Sequence, residues 1–263
     1  MNERVSLTTK DHIATVKMQR PDKLNALDLD MFKGLIQAAK TVRKDKSLRA
    51  VILCGDGAAF CAGLDFPSVT SRPWRFLSAI FKFGTHTNLF QEVAWCWRKL
   101  PIPVIAALHG HCLGGGLQIA LAADFRLSTA DCKFSILEAK WGLIPDMTAT
   151  VTLRELLPMD LAKELAMTGR MFSGEEAKIY GMVSRVCVDP LLEAQKLADE
   201  IKSRSPDSVA MTKRLFHSTW HATPRRAFAI ETWLQLKLLL GKNQRIAMKA
   251  NFNKELPQFI NRL

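Results

Sequence analysis

Three consecutive glycines at positions 114–116 stand between a short apolar segment and an alanine-rich helical pattern. Residues 103–107 predict a buried strand, and a helix is expected to begin near Gly115. A strand, a glycine turn and a helix start leave backbone N–H groups free, with the positive end of the helix dipole behind them. The run lacks the spacing of a dinucleotide fingerprint and the Lys-Ser/Thr of a P-loop. The sequence therefore predicts a backbone site for developing negative charge, but not a nucleotide phosphate site.

The elements expected to position this turn alternate between strands and helices. The patterns predict a hairpin at 5–8 and 13–18, a helix after Asp28 to about 46, strands at 50–54, 125–128, 132–136 and 183–188, and a helix at 88–100. A second glycine turn occupies 61–65, and residues 66–87 carry no regular pattern. A Ser173 capping box starts another helix, and everything beyond Pro190 is predicted to be helical. A strand–strand–helix rhythm recurs about three times before this helical tail.

Composition and charge limit the classes of protein to which the chain can belong. The 263 residues are 48% hydrophobic and 24% charged, as in an ordinary globular protein, and no apolar run is long enough to span a membrane. The N-terminus has no signal-peptide pattern. The six cysteines form no CxxC pair, which favours free thiols in a reducing compartment and predicts a cytoplasmic protein. The net charge is +12, and residues 196–263 hold 13 Lys plus Arg against 5 Asp plus Glu. Such a basic surface indicates nucleic acid, an anionic membrane or an anionic ligand as a partner, or a solvated face without a ligand.

Six sequence blocks, in order, resemble the crotonase superfamily, also called the enoyl-CoA hydratase/isomerase family. The blocks lie at 20–27, 60–65, 103–116, 122–126, 134–145 and 168–183. The resemblance covers nearly the whole chain and implies an α/β fold, a spiral of β-β-α units with a helical C-terminal trimerisation region. It implies an acyl-CoA-binding core at 1–190, a helical region at 191–263, and assembly as a homotrimer or a dimer of trimers.

The resemblance also implies which residues act on an acyl-CoA thioester. The backbone N–H groups of Leu64 and Gly115 match the family's oxyanion hole, which stabilises the thioester oxygen as an enolate forms. Further positions match substrate-binding residues of the family: Ala26, Ala62, Asp65, Gly114 and Lys254. No separate cofactor is expected, because coenzyme A is part of the substrate. The histidine pairs at 109/111 and 217/221 have no third ligand at metal spacing, so no metal site is predicted.

The candidate catalytic side chains are Glu138, Asp146 and Gln118. Glu138 matches a glutamate of family hydratases, but Gln118 stands where those hydratases keep a second one. Asp146, eight residues beyond Glu138, matches a carboxylate used by the family's dienoyl-CoA and some enoyl-CoA isomerases. Structural alternatives remain: Glu138 as an ion-pair partner of Lys140 or another base, Asp146 as a helix N-cap, and Gln118 as a packing substitute.

The departure at Gln118 decides the predicted reaction. Hydration uses two carboxylates, and a glutamine cannot take up a proton at neutral pH. Moving a double bond only shuttles one proton between two carbons, so the sequence predicts an enoyl-CoA isomerase that uses Glu138 and Asp146. Hydration of a 2-enoyl-CoA to a 3-hydroxyacyl-CoA is the main alternative. Weaker alternatives are a catalytically inactive acyl-CoA-binding protein and an RNA-binding protein, although no RNA-binding motif is present. A family dehalogenase is disfavoured because Gln91 replaces its histidine base.

Overall fold

The structure is a computed structural model that describes residues 3–70, 74 and 86–263. The large sheet contains six strands: β1 (Val5–Lys10), β2 (Ile13–Met18), β3 (Ala50–Gly55), β4 (Val104–Leu108), β6 (Phe125–Ser128) and β8 (Arg185–Val186). Their order is β1-β2-β3-β4-β6-β8. The hairpin pair β1–β2 is antiparallel, and every other neighbouring pair is parallel. Two short strands, β5 (His111–Leu113) and β7 (Lys133–Ser135), form a second, parallel sheet.

The helices of the described residues are α1 (Leu29–Lys44), α2 (Phe66–Thr70), α3 (Leu89–Arg98), α4 (Gly115–Leu121), α5 (Ala149–Leu153), α6 (Met159–Thr168), α7 (Gly174–Ile179), α8 (Pro190–Lys202), α9 (Pro206–Thr219), α10 (Pro224–Leu239) and α11 (Lys242–Asn253). Short 3₁₀ turns occur at Pro21–Lys23 and Leu137–Trp141. Three helices begin after a residue whose side chain caps the first turn. Asp28 accepts a hydrogen bond from the Met31 N–H, and Asn88 and Ser173 form capping boxes. No helix of the described part is both long and apolar enough to cross a membrane.

The predicted strand–strand–helix rhythm is visible as repeating units that lie side by side. One unit runs β4, β5, α4, and the next runs β6, β7 and the 3₁₀ turn. Neighbouring units join through the short strands, because Cys112 pairs with Cys61 on one side and with Phe134 on the other. This stacking brings the ends of the short strands, and the residues just after them, to one edge.

The core lies on both faces of the large sheet. On one face α1, α3 and α4 cover β-strand side chains with large buried residues such as Phe32 and Trp97. On the other face, Ala194 and Ala198 of α8 pack against Ile52 and Ile105. Small residues on α8 allow close helix–sheet packing. The first helix of the predicted C-terminal region therefore covers the sheet, while the division at 190/191 stays a prediction.

The predicted elements and the structure differ mainly in length. The strand expected at 183–188 contains only Arg185–Val186. The chain beyond each end still bonds to the neighbouring strand, since Ser184 N–H donates to Arg126 O and Cys187 N–H to Ser128 O. The helical pattern expected directly after Asp146 begins only at Ala149.

Candidate active site

The first arm of the site is the turn at 61–65, held against the loop after the first 3₁₀ turn. Leu27 N–H donates to Gly63 O at 2.7 Å, and Asp65 N–H donates to Leu27 O at 3.0 Å. In such a parallel bridge, the N–H of the central residue, Leu64, points away from Leu27. Gly63 has φ +93°, a backbone conformation that residues with a side chain rarely adopt. The turn therefore presents the Leu64 N–H to the cavity described below.

The second arm is the start of α4. Gly114 N–H donates to Ser135 O at 2.9 Å, and Gly114 has φ +47°, which redirects the chain after β5. Gly115 begins the helix, so its N–H has no intrahelical acceptor. Across the described ranges, no hydrogen-bond acceptor is found for the N–H of Leu64 or of Gly115. Two donors are thus left free on neighbouring turns.

The two arms touch each other through glycines and Cys61. Cys61 N–H donates to His111 O at 2.8 Å, and Leu113 N–H donates to Cys61 O at 3.0 Å. A Cβ on Gly63 would lie 3.1 Å from Leu113 O, and a Cβ on Gly116 would lie 2.6 Å from the Cβ of Cys61. The close approach of the arms therefore requires residues without side chains at these two positions.

We expect Gly116→Ala to damage both stability and turnover. Its methyl group would also lie 3.0 Å from the Cys61 carbonyl oxygen, so the backbone must shift. Such overpacking costs about 1–3 kcal/mol, and misplacing one oxyanion-hole donor lowers kcat about 10²-fold. Thermal unfolding and steady-state kinetics on an enoyl-CoA, the substrate that the resemblance predicts, measure the two effects. Native turnover in Gly116→Ala would contradict the proposed role of this contact.

Both arms border a cavity of about 230 Å³. Its walls are mostly apolar, and two carboxylates face into it. The lining residues are Ala62, Gly63, Leu64, Phe66, Phe90, Gly114, Gly115, Leu137, Glu138, Trp141, Leu143, Ile144, Asp146 and Met147. We call this space the thioester cavity, because the resemblance predicts that the thioester of the substrate binds between the two glycine turns. Larger cavities elsewhere, including one of about 880 Å³ among α8–α11, contain neither glycine arm.

Gln118 holds Glu138 through a hydrogen bond that fixes both side chains. Gln118 is 1% exposed and lies on α4, one turn after Gly115. Its Oε1 accepts the Met147 N–H at 2.8 Å, and its Nε2 donates to Glu138 Oε1 at 2.6 Å. The Met147 bond assigns the amide orientation, because only the oxygen can accept a backbone proton. Gln118 therefore acts on Glu138 as a donor.

Glu138 keeps one oxygen without a partner. Its Oε2 is buried and has no hydrogen bond within the part of the chain that the structure describes. Burial raises the pKa of the Glu138 carboxyl, and the charge of Asp146 raises it further, while the hydrogen bond from Gln118 works in the opposite direction. One oxygen is thus held by Gln118 and the other is available to a substrate proton. The ion pair of Glu138 with Lys140 is wrong, and no other described Lys or Arg pairs with Glu138.

Asp146 lies across the same cavity and is solvent-exposed at its rim. Partial desolvation by the surrounding protein raises the pKa of its carboxyl. The helix-cap alternative is wrong: α5 begins at Ala149, and Thr148 occupies the N-cap position. Asp146 is therefore free for a role toward the cavity.

The residues predicted to bind substrate are only partly at this cavity. Ala62 and Gly114 line it. Asp65 pairs with Arg20 at 2.7 Å, and the Ala26 carbonyl accepts from the same guanidinium. Lys254 is exposed at the end of α11 with φ +56°. Binding by Ala26, Asp65 and Lys254 stays a prediction.

The resemblance also predicts that the aromatic residues from Phe66 to Phe83 line an acyl pocket or lid, with ordinary core or trimer contacts as the alternative. Phe66 does line the cavity, whereas the sequence did not indicate Trp141. Phe66 and Trp141 stack with ring centroids 4.1 Å apart and join the two sides of the cavity. Trp141 follows Glu138 by three residues in the same 3₁₀ turn. Residues at this spacing lie on the same side of such a turn, which could have indicated Trp141 as a wall residue. Trp74 is 82% exposed, and the aromatic residues Phe76, Phe81 and Phe83 lie outside the described residues.

Comparisons with known sequences and with solved structures give the same family. The enoyl-CoA hydratase/isomerase family model matches residues 8–262. Enoyl-CoA hydratase EchA19 of Mycobacterium tuberculosis is 34% identical, over 96% of this chain and 95% of that protein. The mitochondrial Delta(3,5)-Delta(2,4)-dienoyl-CoA isomerase of Pongo abelii is 30% identical, over 95% of this chain and 79% of that protein. The crystal structure of an enoyl-CoA hydratase from Polaromonas sp. JS666 has a TM-score of 0.88 at 26% identity, covering 97% of this chain and 99% of the other. The predicted crotonase-like α/β fold is confirmed.

Proposed function

The chain belongs to the enoyl-CoA hydratase/isomerase family of acyl-CoA enzymes, and we propose that it moves a double bond within an enoyl-CoA. The observation that carries this proposal is the hydrogen bond from Gln118 to Glu138, which fills the place of a second carboxylate with an amide. The site then holds one fixed carboxylate, Glu138, and a second one, Asp146, on the cavity rim. That set suits proton transfer between carbons.

The free N–H groups of Leu64 and Gly115 bind the thioester oxygen. As a proton leaves the acyl chain, the electron pair moves toward that oxygen and an enolate forms. Preorganised donors stabilise this charge without reorganising, and each donor contributes roughly 3–4 kcal/mol by analogy with other oxyanion holes. The first turn of α4 adds the positive end of its backbone dipole.

Glu138 takes the proton, because its Oε2 has no partner among the described residues and faces no competing donor. The enolate electron pair then returns to the carbon chain, and a proton is delivered at the carbon two positions away. Glu138 or Asp146 supplies that proton, so the product has the same atoms and a shifted double bond. No water enters the balance, which is why a single proton shuttle is sufficient.

Hydration of a 2-enoyl-CoA is the second candidate, favoured by the similarity to a protein named enoyl-CoA hydratase. In that reaction Glu138 would activate water, and Asp146 would have to deliver the proton, since Gln118 cannot. Mass spectrometry separates the two reactions after incubation with 2-enoyl-CoA and 3-enoyl-CoA thioesters of several chain lengths. An unchanged mass with a shifted double bond supports isomerisation, and a product heavier by one water supports hydration. No conversion of any thioester would overturn both.

We expect Asp146→Asn to lower isomerase turnover about 10²-fold, the scale of a lost general acid–base group. The same change removes a charge that raises the pKa of Glu138. Glu138 must be ionised to accept a proton, so activity is lost as the pH falls through its raised pKa. In Asp146→Asn this acid limb of kcat/KM should therefore move to lower pH. Native turnover with an unmoved limb would remove Asp146 from the mechanism.

Assembly as a trimer or dimer of trimers is also part of this proposal. The last helices expose many large apolar side chains, more than a free surface usually carries together: Phe216, Trp220, Phe228, Trp233, Leu236, Leu239, Met248 and Phe252. Burial between copies would shield them and bring Lys254 toward a neighbouring subunit's acyl-CoA. Sedimentation of the purified chain tests the assembly.

A cytoplasmic location is also proposed, and its only support is that the cysteines are free thiols.

A further inference from the structure

A second cavity, of about 760 Å³, lies near the other end of α3 from the thioester cavity. Phe90, in the first turn of α3, lines the thioester cavity, whereas Trp95 and Arg98, near its end, line this second cavity. The two cavities have no lining residue in common. The second cavity is bordered by the ends of α1 and α3, by α5, by α9 and by the start of α10. We call it the basic groove.

The basic groove is lined by far more positive than negative side chains. Its cationic residues are Arg43, Arg98, Lys99, Arg154, Lys213, Arg214, Arg226 and Arg262, and its acidic residues are Glu155 and Asp207. Arg98 pairs with Glu155 at 2.6 Å, which neutralises one acid. Both Asp207 oxygens are already bonded, to Asn243 and to the Leu263 N–H. Both acids of the groove therefore already have partners within the protein, although Asp207 keeps its negative charge.

Three of the cations have partners of their own. Lys213 pairs with Asp124 at 2.7 Å, and Lys99 pairs with Glu92 at 2.9 Å. Arg262 donates to backbone carbonyls at the end of α1 and at Leu48.

Four arginines remain, and each comes from a different element: Arg43 from α1, Arg154 from the end of α5, Arg214 from α9 and Arg226 from α10. Among the described residues, none of the four has a carboxylate within 4.0 Å. Arg214 lies over the Trp233 ring, at 5.0 Å from its centroid.

The first turn of α10 adds positive potential to the groove, whereas His217 adds none because it is uncharged at neutral pH. Arg226 stands in the first turn of α10, where a cation is electrostatically unfavourable, and the Thr223 side chain does not cap that turn. Burial lowers the pKa of His217 to about 4, and the nearby charge of Arg98 lowers it in the same direction. The sequence thus concentrates uncompensated positive charge where several helix ends meet.

We propose that the basic groove binds a small, multiply charged phosphate compound of nucleotide size. Arginine forks bind phosphate oxygens in pairs, and four of them aimed from separate elements match a group with several oxygens. The volume lies within the range of small-molecule sites. Free nucleotides and the phosphate-bearing half of coenzyme A carry the same chemistry. This site does not depend on the isomerase reaction, because it is separate from Glu138, Asp146 and the glycine arms.

Titration calorimetry with tripolyphosphate, ATP and 3′,5′-ADP tests the proposal. The native chain should bind at least one of them, and binding should weaken steeply as ionic strength rises from about 0.05 to 0.2 M. Arg154→Gln/Arg226→Gln should weaken it at least tenfold, since each lost charge-assisted contact accounts for roughly that factor. Tighter binding of 3′,5′-ADP than of ATP would identify coenzyme A as the source, and the reverse a free nucleotide.

Arg225→Gln is the matched control, because Arg225 is equally exposed in the same turn of α10 and does not line the groove. It should bind as the native chain does. Turnover of an enoyl-CoA and the melting temperature should be unchanged in all three proteins, since the replaced side chains are exposed. Absence of binding to all three compounds would overturn the proposal. Equal affinity in the double variant and the control would do so too, as would binding to a single-stranded RNA that none of the three compounds displaces.

Discussion

Glu138→Gln is expected to lower isomerase turnover by about 10²–10⁴-fold, the range of a lost general base. The substitution preserves size and keeps a polar group next to Gln118, so the 2.6 Å contact has a replacement acceptor in the new amide oxygen. What disappears is the ability to accept a proton, which an amide lacks at neutral pH. The effect should fall on kcat, because the oxyanion donors that hold the thioester are backbone groups of other residues.

Stability should not fall with activity in this variant. Burial disfavours the charged form of Glu138, as its raised pKa indicates, and a neutral amide avoids that cost. The melting temperature of Glu138→Gln should therefore equal or exceed the native value. Glu255→Gln, an exposed change of the same kind outside the helices, is the control for both measurements.

Proton exchange gives a second readout of the same group. In deuterated water the native enzyme should wash deuterium into the carbon next to the thioester or two positions beyond, and Glu138→Gln should not. If the variant keeps more than a tenth of native turnover, Glu138 is not the base and the proposed mechanism is wrong.

The glycine arms could be predicted because their chemistry is local. Gly115 must begin a helix after a strand, and Gly63 must allow a left-handed turn, so residue type alone signals both. Their pairing is not local. It depends on Cys61 lying beside Cys112, a contact between units that are 51 positions apart in the chain. Only the resemblance to a family supplied that step.

The contacts around the carboxylates were harder to predict. Gln118 and Glu138 are 20 positions apart, and only the Met147 N–H decides which end of the amide faces Glu138. A helical pattern follows Asp146, so the sequence is compatible with Asp146 as a helix N-cap. In the structure the helix starts later, at Ala149. Such details depend on backbone geometry between elements, which periodicity does not encode.

Gln118→Glu is the prediction that tests the opposite change, in which a second carboxylate is restored. The Met147 N–H can still donate to a carboxylate at this position, so the side chain should keep its place. The donor to Glu138, however, becomes an acceptor at a distance of 2.6 Å. Two carboxylates so close cannot both be ionised at neutral pH, and the pKa of one of them rises strongly.

Two consequences follow for the reaction. Isomerase turnover at neutral pH should fall at least about tenfold, because the pair retains a proton and the base is less often ionised. Hydration of 2-enoyl-CoA should appear or increase at least about tenfold, because one carboxylate can now activate water while the other donates a proton. Mass spectrometry of the product measures both reactions in one experiment.

The exchanged double variant Gln118→Glu/Glu138→Gln is the matched control for that result. It has the same composition as the native site and only one carboxylate in the pair, now on α4. It should hydrate no better than the native enzyme, because like the native site it holds only one carboxylate in this pair besides Asp146. If Gln118→Glu leaves the product mass and the rate unchanged, the amide at 118 does not select the reaction, and Glu138 with Asp146 must be sufficient for whichever reaction the native enzyme performs.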